Sequence, residues 1–371
     1  MFFHIITSNT CNLNCKYCCE KAFDEPDTFP EPVCELNNKI NYSIPQLKKF
    51  ISKFKNNTIT FYGGEPLLNI EHIKKVMDNI KNIRFMMQTN GLLLDKLPPE
   101  YTNKFHTILV SLDGDKKTTN KYRGKGTYEK VIQNLKLIRR NGFKGEIIAR
   151  MTIEEQDIYN SVLHLLNNKE FPFTSVHWQL DANFWFNDWK KRNFKKLSEN
   201  YNKSITKLID FWIKEMERSR KVVKLYPFIA IMHDILHKKT TKLRCGSGHS
   251  NYTIQTDGNI SPCPIMMGMK NYYFGNIKQL KQVGKGFPII ERYQDQCPAC
   301  PYLSLCGGRC MYSNILNPWP KEQRKLVCGT VKHLIKTLQK SEPKIRKLIT
   351  TKKVTLKDFN FLRYNGAEII P

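Results

Sequence analysis

The sequence predicts an α/β fold with a parallel sheet and outer helices, followed by a module of different composition. Three observations carry this. Apolar strand-like runs alternate with helix-spaced segments about six times over the first 180 residues. Turn residues follow these runs directly, as Gly63-Gly64, Asn90-Gly91 and Asp113-Gly114. The 12 cysteines cluster, with none between Cys34 and Cys245.

In order, residues 2–7 are a short apolar run that reads as the first strand. Residues 8–43 form a long polar stretch with prolines at 26, 30 and 32, a length that is unusual for a connection without a function. Leu47, Phe50, Ile51 and Phe54 have helical spacing, and residues 58–62 form a second strand running into Gly63-Gly64. Ile70, Ile73, Val76, Met77 and Ile80 mark a helix. Strands follow over 83–88, ending at Thr89-Asn90-Gly91, and 107–110, ending at Ser111-Leu112-Asp113-Gly114. A helix over 128–140 stops at Gly142, and strands over 146–153 and 175–180 complete the set. The punctuating loops all lie at strand C-terminal ends, the rim that carries active sites in barrel-type α/β folds.

Residues 181–240 hold Phe184, Trp185, Phe186 and Trp189, then Lys-rich helical stretches without a strand pattern. From Arg244 onward short Gly-, Pro- and Cys-bearing segments dominate, with Asp257-Gly258 as a hairpin turn between runs at 252–255 and 259–261. The tail carries Phe359, Phe361, Leu362 and Tyr364, which points to docking. The expected organisation is therefore a parallel-sheet α/β domain over 1–180, a helical bridging region over 181–243, a cysteine-bearing domain over 244–335 and a tail over 336–371.

Lys and Arg exceed Asp and Glu by 60 to 33, a net charge of +27. Solvated lysines, an acidic protein or peptide partner and bound anionic cofactors all fit this excess. Nucleic acid fits less well, because no helix-turn-helix or aromatic-plus-basic signature accompanies it. No run of 18 apolar residues is present, so no membrane span is expected. The N-terminus lacks a basic region and a signal-length apolar segment. A cytoplasmic location follows as the expectation, and clustered cysteines there read as metal ligands rather than disulfides.

Cys11, Cys15 and Cys18 form C-x3-C-x2-C. Three thiolates on one loop can hold three irons of a [4Fe–4S] cube and leave the fourth open, whereas a closed zinc site wants a fourth ligand such as His4. Here the sequence resembles the radical SAM enzymes. The resemblance implies a partial (β/α)6 barrel in which the open iron chelates S-adenosylmethionine (SAM), and one electron releases a 5′-deoxyadenosyl radical. It implies that Tyr17 lies near the adenine and that Gly63-Gly64-Glu65-Pro66 receives the SAM ammonium. Ser111 and Arg123 correspond to residues that bind the SAM carboxylate, and Arg suits a carboxylate through its forked donors. Asn90 is a candidate for the ribose or simply a turn residue, and Arg150 is a further candidate. Ser111-Leu112-Asp113-Gly114 with Lys121-Tyr122-Arg123 resembles the anaerobic sulfatase-maturase-like branch.

The second group, Cys245, Cys263, Cys297, Cys300, Cys306, Cys310 and Cys328, resembles a SPASM auxiliary-cluster domain. By that resemblance Cys297, Cys300, Cys306 and Cys328 hold one [4Fe–4S] cluster. Cys245, Cys263 and Cys310 hold another, whose fourth position is open or taken by a non-cysteine ligand such as His249. A pair of zinc ribbons is the competing reading. Cys19 and Cys34 are read as spare thiols.

Two departures matter. The sulfatase-maturing enzymes place an acidic base directly after the cysteine that aligns with Cys263, and here Pro264 stands there. The chain also enters the first barrel strand at once, so the N-terminal peptide-recognition domain of many peptide maturases is not expected.

The expected function is reductive SAM cleavage with oxidative modification of a peptide or protein residue, the alternative being a small molecule or tetrapyrrole substrate. A flavodoxin- or ferredoxin-like donor supplies electrons. The aromatics at 184–189 and Met266, Met267 and Met269 are candidates to line a peptide groove or to pack in the core. Asp181, Asp188 and Asp234 are acid–base candidates, but no catalytic acid or base is assigned.

Overall fold

The computed structural model describes residues 1–18, 39–181, 192–279 and 296–365. Cys19, Cys34, Phe184, Trp185, Phe186, Asp188 and Trp189 lie outside the described residues. The chain divides into two compact units: Met1–Arg150, Lys169–Phe171 and Gly246–Ile290 in the first, and Met151–Asn168, Pro172–Cys245 and Glu291–Pro371 in the second.

The first unit is built on parallel strands β1 (Phe2–Ser8), β2 (Thr58–Gly63), β3 (Arg84–Thr89), β4 (Phe105–Ser111) and β5 (Glu146–Ile153), the last running on into the second unit. Each pairs in parallel with the next in chain order. Six of the seven residues of β1 are buried, the pattern of a strand covered on both faces. Helices α1 (Ile44–Ile51), α2 (Ile70–Asn79), α3 (Pro99–Thr102), α4 (Lys116–Arg123) and α5 (Thr127–Arg140) form the connections. Their starts are set locally: Ser43 and Gln46 form a capping box on α1, Asn69 caps α2 and Asp115 caps α4.

Residues 246–290 join this unit because β8 (Asn251–Ile254) pairs in parallel with β1, and β9 (Ile260–Ser261) pairs antiparallel with β8. The Asp257-Gly258 turn makes that hairpin, with Gly258 at φ +89°, where a side chain would strain the backbone. Phe3, Phe50, Phe54 and Tyr252 close the core beneath, with ring centroids 5.2–6.4 Å from Phe3.

The second unit holds α6 (Ile158–Leu166), β6 (Ser175–Leu180), α7 (Phe194–Ser219), β7 (Lys224–Leu225), α8 (Tyr226–Leu236), α9 (Leu303–Cys306), α10 (Met311–Leu316) and α11 (Lys321–Thr350). The Asp181 N–H donates to Ile153 O at 2.7 Å, and β6 pairs in parallel with β7. Its core is aromatic: Phe228 stands 5.0 Å from Trp178 and 5.6 Å from Trp212, and Trp212 stands 6.0 Å from Phe359 of the tail.

Strand β7 and helix α11 are among the elements not read from the sequence. Strand β7 is two residues long, too short for a period. The 30-residue α11 lies where the cysteines suggested short segments, yet Val327, Val331, Leu334, Leu338 and Ile345 face inward at helical spacing. Its internal Pro343 lies on the exposed side of the helix, where the ring removes one helical N–H donor. Met266, Met267 and Met269 are buried and pack in the core. No helix among the described residues is long and apolar enough to cross a membrane.

Phe359 is fully buried. Replacing it with Ala removes the ring against Trp212 and is expected to destabilise the second unit by about 3–5 kcal/mol. Urea unfolding followed by Trp fluorescence checks this. An unchanged midpoint would mean that the tail does not contribute to the core.

Candidate active site

The loop after β1 is fixed by backbone. The Gly64 N–H donates to Ser8 O at 3.0 Å and the Glu65 N–H to Thr10 O at 2.9 Å. The register of β1 with β2 shifts at this point, between Ile6 and Ser8. A Cβ on Gly63 would lie 2.1 Å from Ser8 O, and one on Gly64 would lie 2.4 Å from Thr10 O. Gly63 also sits at φ +143°. Only glycine admits this approach. Further on, the Lys16 N–H donates to Tyr122 O at 3.0 Å and the Cys18 N–H to Cys15 O at 3.2 Å, so both ends of the cysteine loop are pinned.

Cys11, Cys15 and Cys18 form no disulfide, and each is half-buried. The Leu13 N–H points at Cys11 Sγ at 3.4 Å and Asn90 Nδ2 at 3.7 Å. Burial pushes the Cys15 thiol up, and Arg123 partly opposes that. Among the described residues no three His, Cys, Asp or Glu side chains converge as they would around one metal ion. Zinc draws its ligands to ~2.3 Å of a single atom, whereas a cube takes each thiolate on a separate iron. His4 is buried on β1. It hydrogen-bonds Asn251, and burial, with Arg150, brings it down to about 4.

Glu65 is fully buried. Its Oε1 accepts from Leu67 N at 3.0 Å and Thr89 Oγ1 at 2.7 Å, and its Oε2 accepts from Asn90 N at 2.7 Å. The carboxylate thus ties the end of β2 to the end of β3. Burial raises it to about 7 despite these donors. Asn90 splits its amide: Nδ2 reaches Asn12 Oδ1 at 2.7 Å, and Oδ1 accepts from Leu92 N at 3.0 Å.

Arg123 Nε and Nη2 each donate to Asp113 at 2.8 Å, a buried bidentate pair. Burial alone would lower the guanidinium, but Asp113 and Tyr17 carry it above its ordinary value. Tyr17 hydrogen-bonds Asp113 through its hydroxyl and faces the Arg123 guanidinium at 5.4 Å from its ring centroid. Burial raises that phenol well above its usual range, so it stays protonated. Tyr17, Asp113 and Arg123 are therefore one unit at the C-terminal end of β4. Ser111 ends β4 half-buried, in register with Arg150 of β5, whose guanidinium bonds Gln88 Oε1. Sequence reasoning did not single out Asp113 as the partner of Arg123, Thr89 as a support of Glu65, or Asn12 as a support of Asn90. Nothing in single-sequence spacing marks such partners.

Of the C-terminal cysteines, Cys263 lies in the first unit, and Cys245, Cys297, Cys300, Cys306, Cys310 and Cys328 in the second. None forms a disulfide. Gly307, Gly308 and Arg309 are three consecutive left-handed residues, at φ +72°, +90° and +65°. Burial raises the Cys306 thiol, while hydrogen bonds from the Gly308 and Arg309 backbone and the Arg309 charge favour its thiolate, with Cys328 acting against them. Cys310 precedes α10, and the Tyr312 and Ser313 N–H groups turn toward its buried sulfur. These peptide nests are suited to thiolates that ligate a cluster. His249 Nδ1 lies 2.8 Å from Ser250 Oγ. Asp181 pairs with Arg192 at 2.7 Å, and Asp234 pairs with Arg244 at 3.0 Å and Arg363 at 3.3 Å, so both carboxylates are structural.

Residues 5–159 match the profile of the radical SAM superfamily. The chain carries a radical SAM domain. It is an enzyme of that class, with the mixed α/β fold and parallel sheet of its relatives. The radical SAM chain is 26% identical over 82% of its length to a cysteine-type anaerobic sulfatase-maturating enzyme of Clostridium perfringens, covering 86% of that protein. It is 24% identical over 92% of its length to the radical SAM cyclopropyl synthase TigE of Paramaledivibacter caminithermalis, covering 74% of that protein. Among solved structures, native anSMEcpe with bound AdoMet and Cp18Cys peptide shares the fold, at TM-score 0.68 and 20% identity, over 94% of this chain and 99% of that one.

The Glu65 carboxyl has a stability consequence. Its folded value, about 7, lies above its unfolded value, so its contribution is full below about pH 4.5 and is lost as pH rises through about 7. The loss is on the order of 3 kcal/mol. Denaturant midpoints of the metal-free protein at about pH 5 and about pH 8 are expected to differ more than those of Glu65→Gln. Parallel profiles would show that Glu65 does not titrate there.

Proposed function

We propose that this protein cleaves SAM reductively at a [4Fe–4S] cluster held by Cys11, Cys15 and Cys18, and oxidatively modifies a residue of a peptide or protein. The observation that carries this is the pinned three-thiol loop beside the Gly63–Glu65 turn, with Tyr17, Asp113 and Arg123 on the same rim. When bound, the cluster supplies the electron that splits SAM into methionine and a 5′-deoxyadenosyl radical.

The chain's own residues bind and orient. Backbone acceptors at Gly63 and Gly64 suit the SAM ammonium, which has donors only. Glu65 acts through them, by fixing their loop to β3 from a fully buried position. Arg123 already gives Nε and Nη2 to Asp113, which leaves Nη1 to meet the SAM carboxylate beside Ser111. Tyr17 presents an immobilised ring for the adenine, and Asn90 stands at the ribose end. Exclusion of water protects a radical held among these groups.

In this reading the barrel spans 1–180, the bridging region 181–243, the SPASM domain 244–335 and the tail 336–371. Cys297, Cys300, Cys306 and Cys328 hold one auxiliary [4Fe–4S] cluster, and Cys245, Cys263 and Cys310 hold a second. Support for a peptide substrate comes from the relative whose structure carries a bound peptide. Pro264, in a 3-10 turn over Pro264–Met266, offers no carboxylate, so the modification differs in its base from sulfatase maturation. The described cysteines form no disulfide, which suits a reducing, cytoplasmic setting with a flavodoxin- or ferredoxin-like electron donor.

Two measurements test this. Anaerobically reconstituted protein is expected to hold about twelve irons, from three cubes. About four would mean that the C-terminal cysteines bind something else. Cys15→Ala is expected to abolish 5′-deoxyadenosine formation while keeping about eight irons. Cleavage that survives this change would overturn the assignment.

A further inference from the structure

Helix α11 buries Val327, Val331, Leu334, Leu338, Ile345 and Leu348 along one face. Its opposite face carries Lys332, Lys336, Lys340 and Lys347, all exposed. None of the four has an ion-pair partner among the described residues, whereas Lys325 pairs with Glu322 at 2.9 Å and Arg346 with Glu342 at 2.7 Å on the same helix. Lys347 lies in the last turn, where the helix dipole favours a cation. Lys332, Lys336 and Lys340 lie mid-helix and have no such reason. Spaced four apart, they repel one another and weaken the helix. His333, beside them, is held below its ordinary value by burial, and Lys336 and Lys340 add to this. The stripe is thus an uncompensated positive ridge on an otherwise well-packed helix.

The ridge starts beside a cysteine. Lys332 follows Cys328 by one turn, about 6 Å along the axis, and Lys340 lies about 18 Å along it. A Cβ on Gly329 would meet nothing within 4 Å, so the surface next to Cys328 is open.

We propose that the Lys332–Lys336–Lys340 ridge is the docking surface for an acidic one-electron carrier protein. This rests on the proposed function for the role of Cys328. Reductive cleavage consumes one electron per SAM, and a carrier must bring it. On docking, the carrier is oxidised by one electron and the enzyme reduced by one, with no proton or bond exchanged. Charge complementarity steers such short-lived encounters and sets their rate. A nucleic acid fits the ridge less well. It has lysines only, without the arginine forks and exposed aromatics that grip phosphates and bases.

The test uses reconstituted holoenzyme and a plant-type [2Fe–2S] ferredoxin as the acidic probe. Calorimetry at low salt is expected to show binding to wild type. The triple variant Lys332→Glu, Lys336→Glu and Lys340→Glu is expected to bind at least about tenfold more weakly, with a shallower salt dependence. The corresponding triple Lys→Arg variant is expected to bind as wild type does. In the Glu variant, 5′-deoxyadenosine formation driven by reduced ferredoxin should fall at least about tenfold. Formation driven by dithionite, a small reductant that needs no docking, should be unchanged. Absent ferredoxin binding, or equal affinity in the Glu variant, overturns the proposal. So does loss of binding to a duplex oligonucleotide with ferredoxin binding intact, which would make the ridge a nucleic-acid surface. If dithionite yields no 5′-deoxyadenosine with wild type, the proposed function has failed, and calorimetry alone then decides the ridge.

Discussion

The site depends on one close backbone approach. The carbonyls of Ser8 and Thr10 accept from the N–H groups of Gly64 and Glu65, and the two glycines leave no space for a side chain between the segments. This contact sets where the polypeptide leaves β1, and therefore where Cys11 begins the thiol loop. It also fixes the Gly63–Glu65 turn beside the start of that loop. Sheet register, cysteine placement and turn geometry are in this sense a single arrangement.

Buried charge organises what surrounds it. Asp113 and Arg123 are both buried and paired through two bonds, and Tyr17 closes on the same carboxylate. Asp234 does the same in the second unit, between Arg244 and Arg363, while Arg244 Nε also donates to Leu305 O at 2.6 Å, next to Cys306. Such pairs gain little net stability, because desolvation offsets the attraction. What they supply is geometry. Breaking one leaves an uncompensated charge, so each holds its loops in a single arrangement, one beside the N-terminal thiols and one beside the C-terminal ones.

The sheet was legible because parallel strands buried on both faces read as continuous apolar runs with turn residues at their ends. The strands over 146–153 and 175–180 have the bounds their apolar runs imply. Cysteine spacing made the thiol loop legible, and the paired glycines made the turn legible, although why they must be glycine emerges only from the 2.1 Å and 2.4 Å approaches. Tertiary partners were not legible. Asp113 lies ten residues before Arg123, and no local period links them. Glu65 reads in sequence as a ligand-facing acid, yet its oxygens are taken by Leu67, Thr89 and Asn90. The long α11 was obscured because the region after Arg244 reads as short Gly-, Pro- and Cys-bearing segments, while the apolar spacing from Val327 to Leu348 is helical.

The central claim is that the thiol loop leaves one metal position uncapped by protein, facing an amine-accepting turn. Electron–nuclear double resonance on the reduced enzyme, mixed with SAM labelled with nitrogen-15 at its amino group, addresses that position directly. Hyperfine coupling between the labelled nitrogen and the cluster spin is the result this account requires. A reduced cluster with bound SAM and no such coupling would contradict it.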